Sequence, residues 1–249
     1  MKQFIAIFVL AAHSGSLHAS DEIPGAPQAT PIVITGATIH TVSGPVIENG
    51  ALLFDQGRIV AVGEEGDVRI PDDAQQIDGM GQHVYPGLFE SHSHLGLVEV
   101  SAVRASRDQS ESGSMNPNVR AHVSVNPDSE LIPVTRANGV LLALSAPSGG
   151  RISGQASVMQ MDGWTFEDMT LRPGAAMVVS WPSVPHEFQK SDEKDKSKVG
   201  SKADPVDSLR DFFDAGRAYL AARADDTSAQ QTDVKLESLR PVIERKMPL

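Results

Sequence analysis

The chain has 249 residues, with 32 acidic against 21 basic side chains, a formal net charge of −11, and 40% hydrophobic but only 5% aromatic residues. That apolar content supports a packed core in one large domain or two small ones, and the acidic balance, with no basic cluster, excludes nucleic acid as a partner. Cysteine is absent, which excludes a disulfide framework, a thiolate nucleophile and a Cys-based metal site; any metal must be held by histidine and carboxylate.

Residues 1–19 have the pattern of an export signal. Lys2 supplies a short positive region, Phe4 to Ala12 is an uninterrupted apolar run, and Ala19 is a suitable last residue before cleavage. The run is too short for a stable bilayer span, and no other apolar stretch is long enough for one. The expected location is therefore periplasmic or secreted. Residues 20–30 read as a linker, and residues 31–85 then carry a dense series of strand signals. Pro31 to Thr35 and Ala37 to Val42 are rich in β-branched residues and broken at Gly36. Gly50 to Phe54 and Arg58 to Val62 flank Asp55-Gln56-Gly57, a short hairpin connection with a glycine available for positive φ. Asp67 to Ile70 and Gln75 to Asp78 are weaker strands around Pro71-Asp72-Asp73. Together they predict a small antiparallel β unit.

Residues 86–249 differ in pattern. Val84 to Ser91 is a buried-type strand that runs into His92-Ser93-His94, and residues 104–130 are polar and read as a long loop. Gly139 to Ala146 is a continuous apolar strand of the kind found in a parallel sheet covered on both faces. Ala156 to Met161 and Ala175 to Ser180 are further strand candidates. Residues 189–204 alternate charge without a core-forming pattern, which predicts a solvated, mobile insertion. Val206 to Arg223 has apolar residues at helical spacing, and a last helix is expected over Val234 to Lys246, broken or restarted at Pro241.

The chemistry is concentrated in Pro86-Gly87-Leu88-Phe89-Glu90-Ser91-His92-Ser93-His94. On an extended strand, residues i and i+2 project to one face, so His92 and His94 can aim two imidazoles at one point, as a zinc-type metal requires. Taken alone, the pair is also compatible with a solvated strand end. His40 and His83 lie in the β unit and read as structural, and His122, among Asn and Pro, reads as a loop residue. The run Ser148 to Gln155 is glycine-rich but lacks the Gly-Lys-Ser/Thr ending of a phosphate loop; a substrate-facing loop is the better reading.

The segments Ile34-Thr35-Gly36-Ala37-Thr38-Ile39, Asp55 to Gly63, Ile77-Asp78-Gly79-Met80-Gly81 and Tyr85 to Gly96 occur in an order that resembles the amidohydrolase superfamily, its imidazolonepropionase-like branch in particular. The resemblance continues through Val125 to Ser129, Arg136 to Val140 and Ser153-Gly154-Gln155. It implies an α/β fold: a small N-terminal β-sandwich unit from residues 31–85, then a (β/α)8 TIM-type barrel, with His92 and His94 at the C-terminal end of the first barrel strand as ligands of a divalent metal, zinc by expectation. A metal-activated water would then hydrolyse a C–N bond in a small amide-type substrate, dipeptides included. Glu90 stands where the resemblance has Asp. The family's later ligands and catalytic Asp have no counterpart, since only His122 and His186 follow His94. Residues 86–249 are also short for a complete barrel of roughly 200 residues or more. The expectation is an incomplete barrel, the front half of such an enzyme, whether truncated or one part of a split protein, with a homo-oligomer or a missing C-terminal half as its expected partner. The alternative is a catalytically inactive fragment, or a non-catalytic β module that binds a partner.

Overall fold

The computed structural model describes residues 24–182, 205–225 and 231–249. The expected export signal, the charge-alternating insertion at 189–204 and His186 lie outside the described residues. Among the described residues, no helix is long and apolar enough to cross a membrane.

The first sheet is built on β1 (Ile32–His40), β2 (Val46–Asp55) and β3 (Arg58–Glu64), which pair antiparallel in sequence. Gln56 and Gly57 close the second hairpin with φ of 47° and 73°, the two positive values that a type I′ connection demands. The expected break at Gly36 is a bulge inside one continuous strand: its φ is 73° and the register with β2 shifts between Ile34 and Ala37. Two further strands depart from the antiparallel expectation. β4 (Gln75–Asp78) and β5 (His83–Val84) both run parallel to β1. The cause is the stretch between Glu64 and Gln75. β3 ends opposite Gly50, and the chain must travel back to the start of β1 before Gln75 can pair with Ile32. The predicted strand at Asp67 to Ile70 is part of that return. It begins with a 3-10 turn over Glu65–Asp67, and Val68 is buried with Val33, Ala51 and Leu53. These strands form one five-stranded sheet.

The second sheet has the order β6-β7-β8-β9. β6 (Leu88–Ser93) lies parallel to β7 (Val140–Ser145), and α1 (Leu131–Ala137) precedes β7. This is the barrel-type part of the expected architecture. The two later strand candidates are present as β8 (Ile152–Gln160) and β9 (Thr170–Val179), but each pairs antiparallel with its predecessor. The chain between these strands is too short for a parallel crossover, which needs roughly a dozen residues or more. α2 (Phe166–Met169) is a single turn capped by Thr165 Oγ1, which accepts the Asp168 N–H at 3.2 Å.

The long polar stretch before α1 is tied to this sheet rather than free. Ser110, Met115 and Arg120 form isolated parallel bridges with Ser148, Ile152 and Gln155. Gly154 makes this approach possible: a Cβ there would sit 2.7 Å from the Val119 carbonyl oxygen. Ala121 and Val125 from this stretch, with Leu97 ahead of it, join Ile132, Ala143, Met159 and Met169 in one core. A second core packs Ile152 and Met177 against Leu209 of α3 (Pro205–Asp225), Leu239 and Met247. The last helix splits into α4 (Val234–Glu237) and α5 (Arg240–Ile243), with Pro241 in the first turn of α5, as its missing N–H favours.

Among the described residues β6 has a strand neighbour on one side only. It is exposed along its length apart from Ser93, with Leu88 at 60% and Phe89 at 47% exposure. An open apolar edge of this kind is a template for pairing with another strand. Phe89→Lys should therefore reduce concentration-dependent association, read by light scattering. Met159, fully buried, should cost about 2–5 kcal/mol on replacement by alanine. The same change at Ile59, 68% exposed, should stay within about 0.5 kcal/mol; urea unfolding checks both.

Candidate metal centre

Strand β6 reaches its parallel partner through Gly87, where any Cβ would collide with the side chain of Leu141. The register of β6 with β7 slips twice, between Leu88↔Val140 and Phe89↔Leu142 and again between Glu90↔Ala143 and Ser93↔Ser145. The Glu90 carboxylate turns back on its own strand, where Oε1 accepts the His92 N–H at 3.2 Å. His94 falls one residue past the strand end, and its carbonyl accepts the Leu97 and Val98 N–H groups in the following turn. The ring centroids of His92 and His94 are 5.9 Å apart at an interplanar angle of 67°.

Two bonds to Ala146, just beyond β7, hold this end in place. The Ala146 N–H donates to the Ser93 carbonyl at 2.9 Å, and the Ala146 carbonyl lies 2.9 Å from His94 Nδ1. A carbonyl oxygen can only accept, so Nδ1 carries the proton and the lone pair of neutral His94 resides on Nε2. This is the arrangement that prepares an imidazole for a metal, because the second nitrogen fixes both tautomer and ring orientation. Ser93 Oγ accepts the Leu95 N–H at 2.9 Å, and Ser145 Oγ donates to the Leu95 carbonyl at 3.3 Å, so the turn after the histidines is fastened at both ends. The site lies at the carboxyl end of a parallel strand pair, where α/β sheets present ligand-binding groups.

Among the described residues no group of three His, Asp or Glu side chains is placed to share one ion. His92 and His94 supply two imidazoles, whereas a zinc-type site has roughly four ligands in all. His122 is elsewhere. It is buried in a 3-10 turn with Nδ1 3.0 Å from Ser157 Oγ, which also accepts the Gly174 N–H at 3.1 Å. Burial, and then the Arg120 charge, push its pKa below the ordinary histidine value, with Glu167 opposing. His122 is a core histidine. The glycine-rich run forms the turn into β8, and no helix opens after it; a phosphate cradle would use such a helix start. Ala146 acts through its backbone, which its side chain does not signal in the sequence. The strand that carries it was legible, but the strand's pairing partner was not.

No family model matches this chain. Its structure is similar to an amidohydrolase from Thermotoga maritima, with a TM-score of 0.71 and 23% identity over 87% of this chain. The chain has an amidohydrolase fold. It spans 56% of the length of the Thermotoga protein, so the resemblance read from the residues holds for the fold of a part. In sequence, 69 residues of the amidohydrolase-like chain are 35% identical to a 5-methylthioadenosine/S-adenosylhomocysteine deaminase from Symbiobacterium thermophilum, covering 27% of this chain and 16% of that protein. A prolidase-like structure from Bifidobacterium longum matches a short stretch, 28% of this chain and 18% of its own, at 32% identity and a TM-score of 0.26.

His122 supplies a pH test of the core around this centre. Its folded pKa lies below the unfolded value, so the unfolded state binds more protons between the two. The contribution is complete above the unfolded value of about 6.5 and is lost as pH falls through the folded pKa. The stability advantage of the native chain over His122→Gln, from urea unfolding across this range, should shrink on acidification. A difference independent of pH would refute the assignment.

Proposed function

We propose that this chain contributes to a metal-dependent hydrolase of the amidohydrolase type. It would cleave C–N bonds of small amide-type molecules outside the cytoplasm. The observation that carries this reading is the His92–His94 pair, with His94 Nδ1 committed to the Ala146 carbonyl and Nε2 left to bind. The residues present fit a divalent ion, zinc by preference, as far as two ligands go. Such an ion, when bound, lowers the pKa of a water it holds to near neutrality.

The chain's own residues supply placement. Ala146 fixes the His94 tautomer and the end of β6, Glu90 braces the His92 backbone, and the fastened turn at Leu95 keeps both rings at the carboxyl end of the sheet. The remaining ligands and the proton acceptor must come from residues other than those described, whether on further chain or on a second copy. The reaction class is supported by the amidohydrolase fold and by a relative named as a deaminase, since both names denote C–N cleavage. Location outside the cytoplasm rests on the export-signal pattern of residues 1–19. A second reading, a non-catalytic module that binds a partner, is favoured by the exposed β6 edge and by the two-ligand set.

The test is zinc binding by the stripped and reloaded chain, measured by mass spectrometry of bound metal and by competition with a chromophoric chelator. The His92→Ala and His94→Ala chains should each lose affinity by about tenfold or more. Equal binding by the native chain and the doubly substituted chain would remove the proposed centre. Hydrolysis of any member of a panel of dipeptides, cyclic amides and imidazolones by the zinc-loaded native chain, absent from the doubly substituted chain, would exclude the non-catalytic reading.

A further inference from the structure

A second pair of histidines lies on the other sheet. His40 ends β1 and His83 opens β5, and the parallel pairing Thr38↔His83 and Ile39↔Val84 brings their side chains together from positions distant in sequence. His40 Nε2 and His83 Nδ1 stand 3.0 Å apart at the exposed surface. Tyr85 lies flat against the His40 ring, with centroids 4.2 Å apart and an interplanar angle of 5°, so that ring has a fixed plane. Only one of the two facing nitrogens can carry the proton they share; the other presents its lone pair toward it.

We propose that His40 and His83 form a surface binding site for a divalent copper-type ion, separate from the His92–His94 centre. The ion takes the place of the shared proton, which passes through solvent to the distal nitrogen of the ring that held it, so that the two neutral imidazoles carry their protons on His40 Nδ1 and His83 Nε2. The nitrogens already stand close to the separation that cis coordination of one ion requires. With metal–nitrogen bonds of about 2.05 Å, a 3.0 Å separation subtends roughly 94° at the ion. That is the cis angle of a square-planar or tetragonal centre, which copper(II) and nickel(II) adopt, with copper the tighter binder. The ring centroids are 5.2 Å apart, a nearly end-to-end meeting, so binding tilts the solvent-side His83 ring while Tyr85 holds His40. Water completes the coordination. The bound ion ties β5 to β1, where the backbone pairing is only two residues long.

The experiment uses the full chain carrying His92→Ala and His94→Ala, so that the other centre contributes nothing. Copper(II) is titrated calorimetrically and followed by electron paramagnetic resonance. The expected result is one binding equivalent with an axial spectrum showing coupling to two imidazole nitrogens. Adding His83→Gln or His40→Gln should weaken it about tenfold or more, and zinc should bind more weakly than copper by a similar factor. Unchanged copper affinity in both glutamine variants would overturn the proposal, as would zinc binding as tightly as copper. A readout without substitution at the pair guards against a misfolded variant. Trace copper should broaden the His40 and His83 imidazole proton resonances before that of buried His122. Broadening that spares the pair would also overturn it.

Discussion

The carbonyl of Ala146 accepts a hydrogen bond from His94 Nδ1 at 2.9 Å while the amide of the same residue donates to Ser93, across a gap of 52 residues. The candidate centre depends on this double contact. It requires β6 and β7 to run parallel, because only then do both strand ends, and the side chains just past them, arrive at one place. It also decides the chemistry of the imidazole. With Nδ1 occupied as a donor, Nε2 is the only position at which neutral His94 can bind anything. The pairing in turn depends on the crossover through α1, and on the core in which Ile132 of that helix joins Ala143 of β7.

The rest of the second sheet supports this strand pair from one side. β8 and β9 extend it antiparallel, the polar stretch from Ser110 to Arg120 is bridged onto the β7–β8 region, and α3 with the C-terminal turns closes over Ile152 and Met177. Among the described residues the other side of β6 has no strand neighbour. His92 is thus carried by the most exposed strand of the sheet, with His94 just past its end.

Several local features were legible because short-range sterics decide them. The Gln56-Gly57 turn needs two positive φ values, and α5 begins where Pro241 can start a helix but not continue one. Strand signals at Gly139 to Ala146 and Gln75 to Asp78 fall on β7 and β4. Strand direction was not legible. An apolar run such as Ala156 to Met161 looks the same whether its partner is parallel or antiparallel, and β4 and β5 became parallel only because the chain travels back past Val68. α1 is too short for a periodic signal and holds Pro133 in its first turn.

The amino-acid sequence by itself determined the residue types at the centre and their spacing. It placed His92 and His94 two apart at the end of an apolar strand, with the preceding β unit that gives the segment its family likeness. Tertiary structure alone decided which carbonyl holds His94, that His122 is sealed against Ser157, and that His40 meets His83 beside Tyr85. The physical reason is the range of the forces involved. Spacing and turn preference act within a few residues, whereas each of these contacts joins positions brought together by strand pairing and burial, which no local pattern encodes.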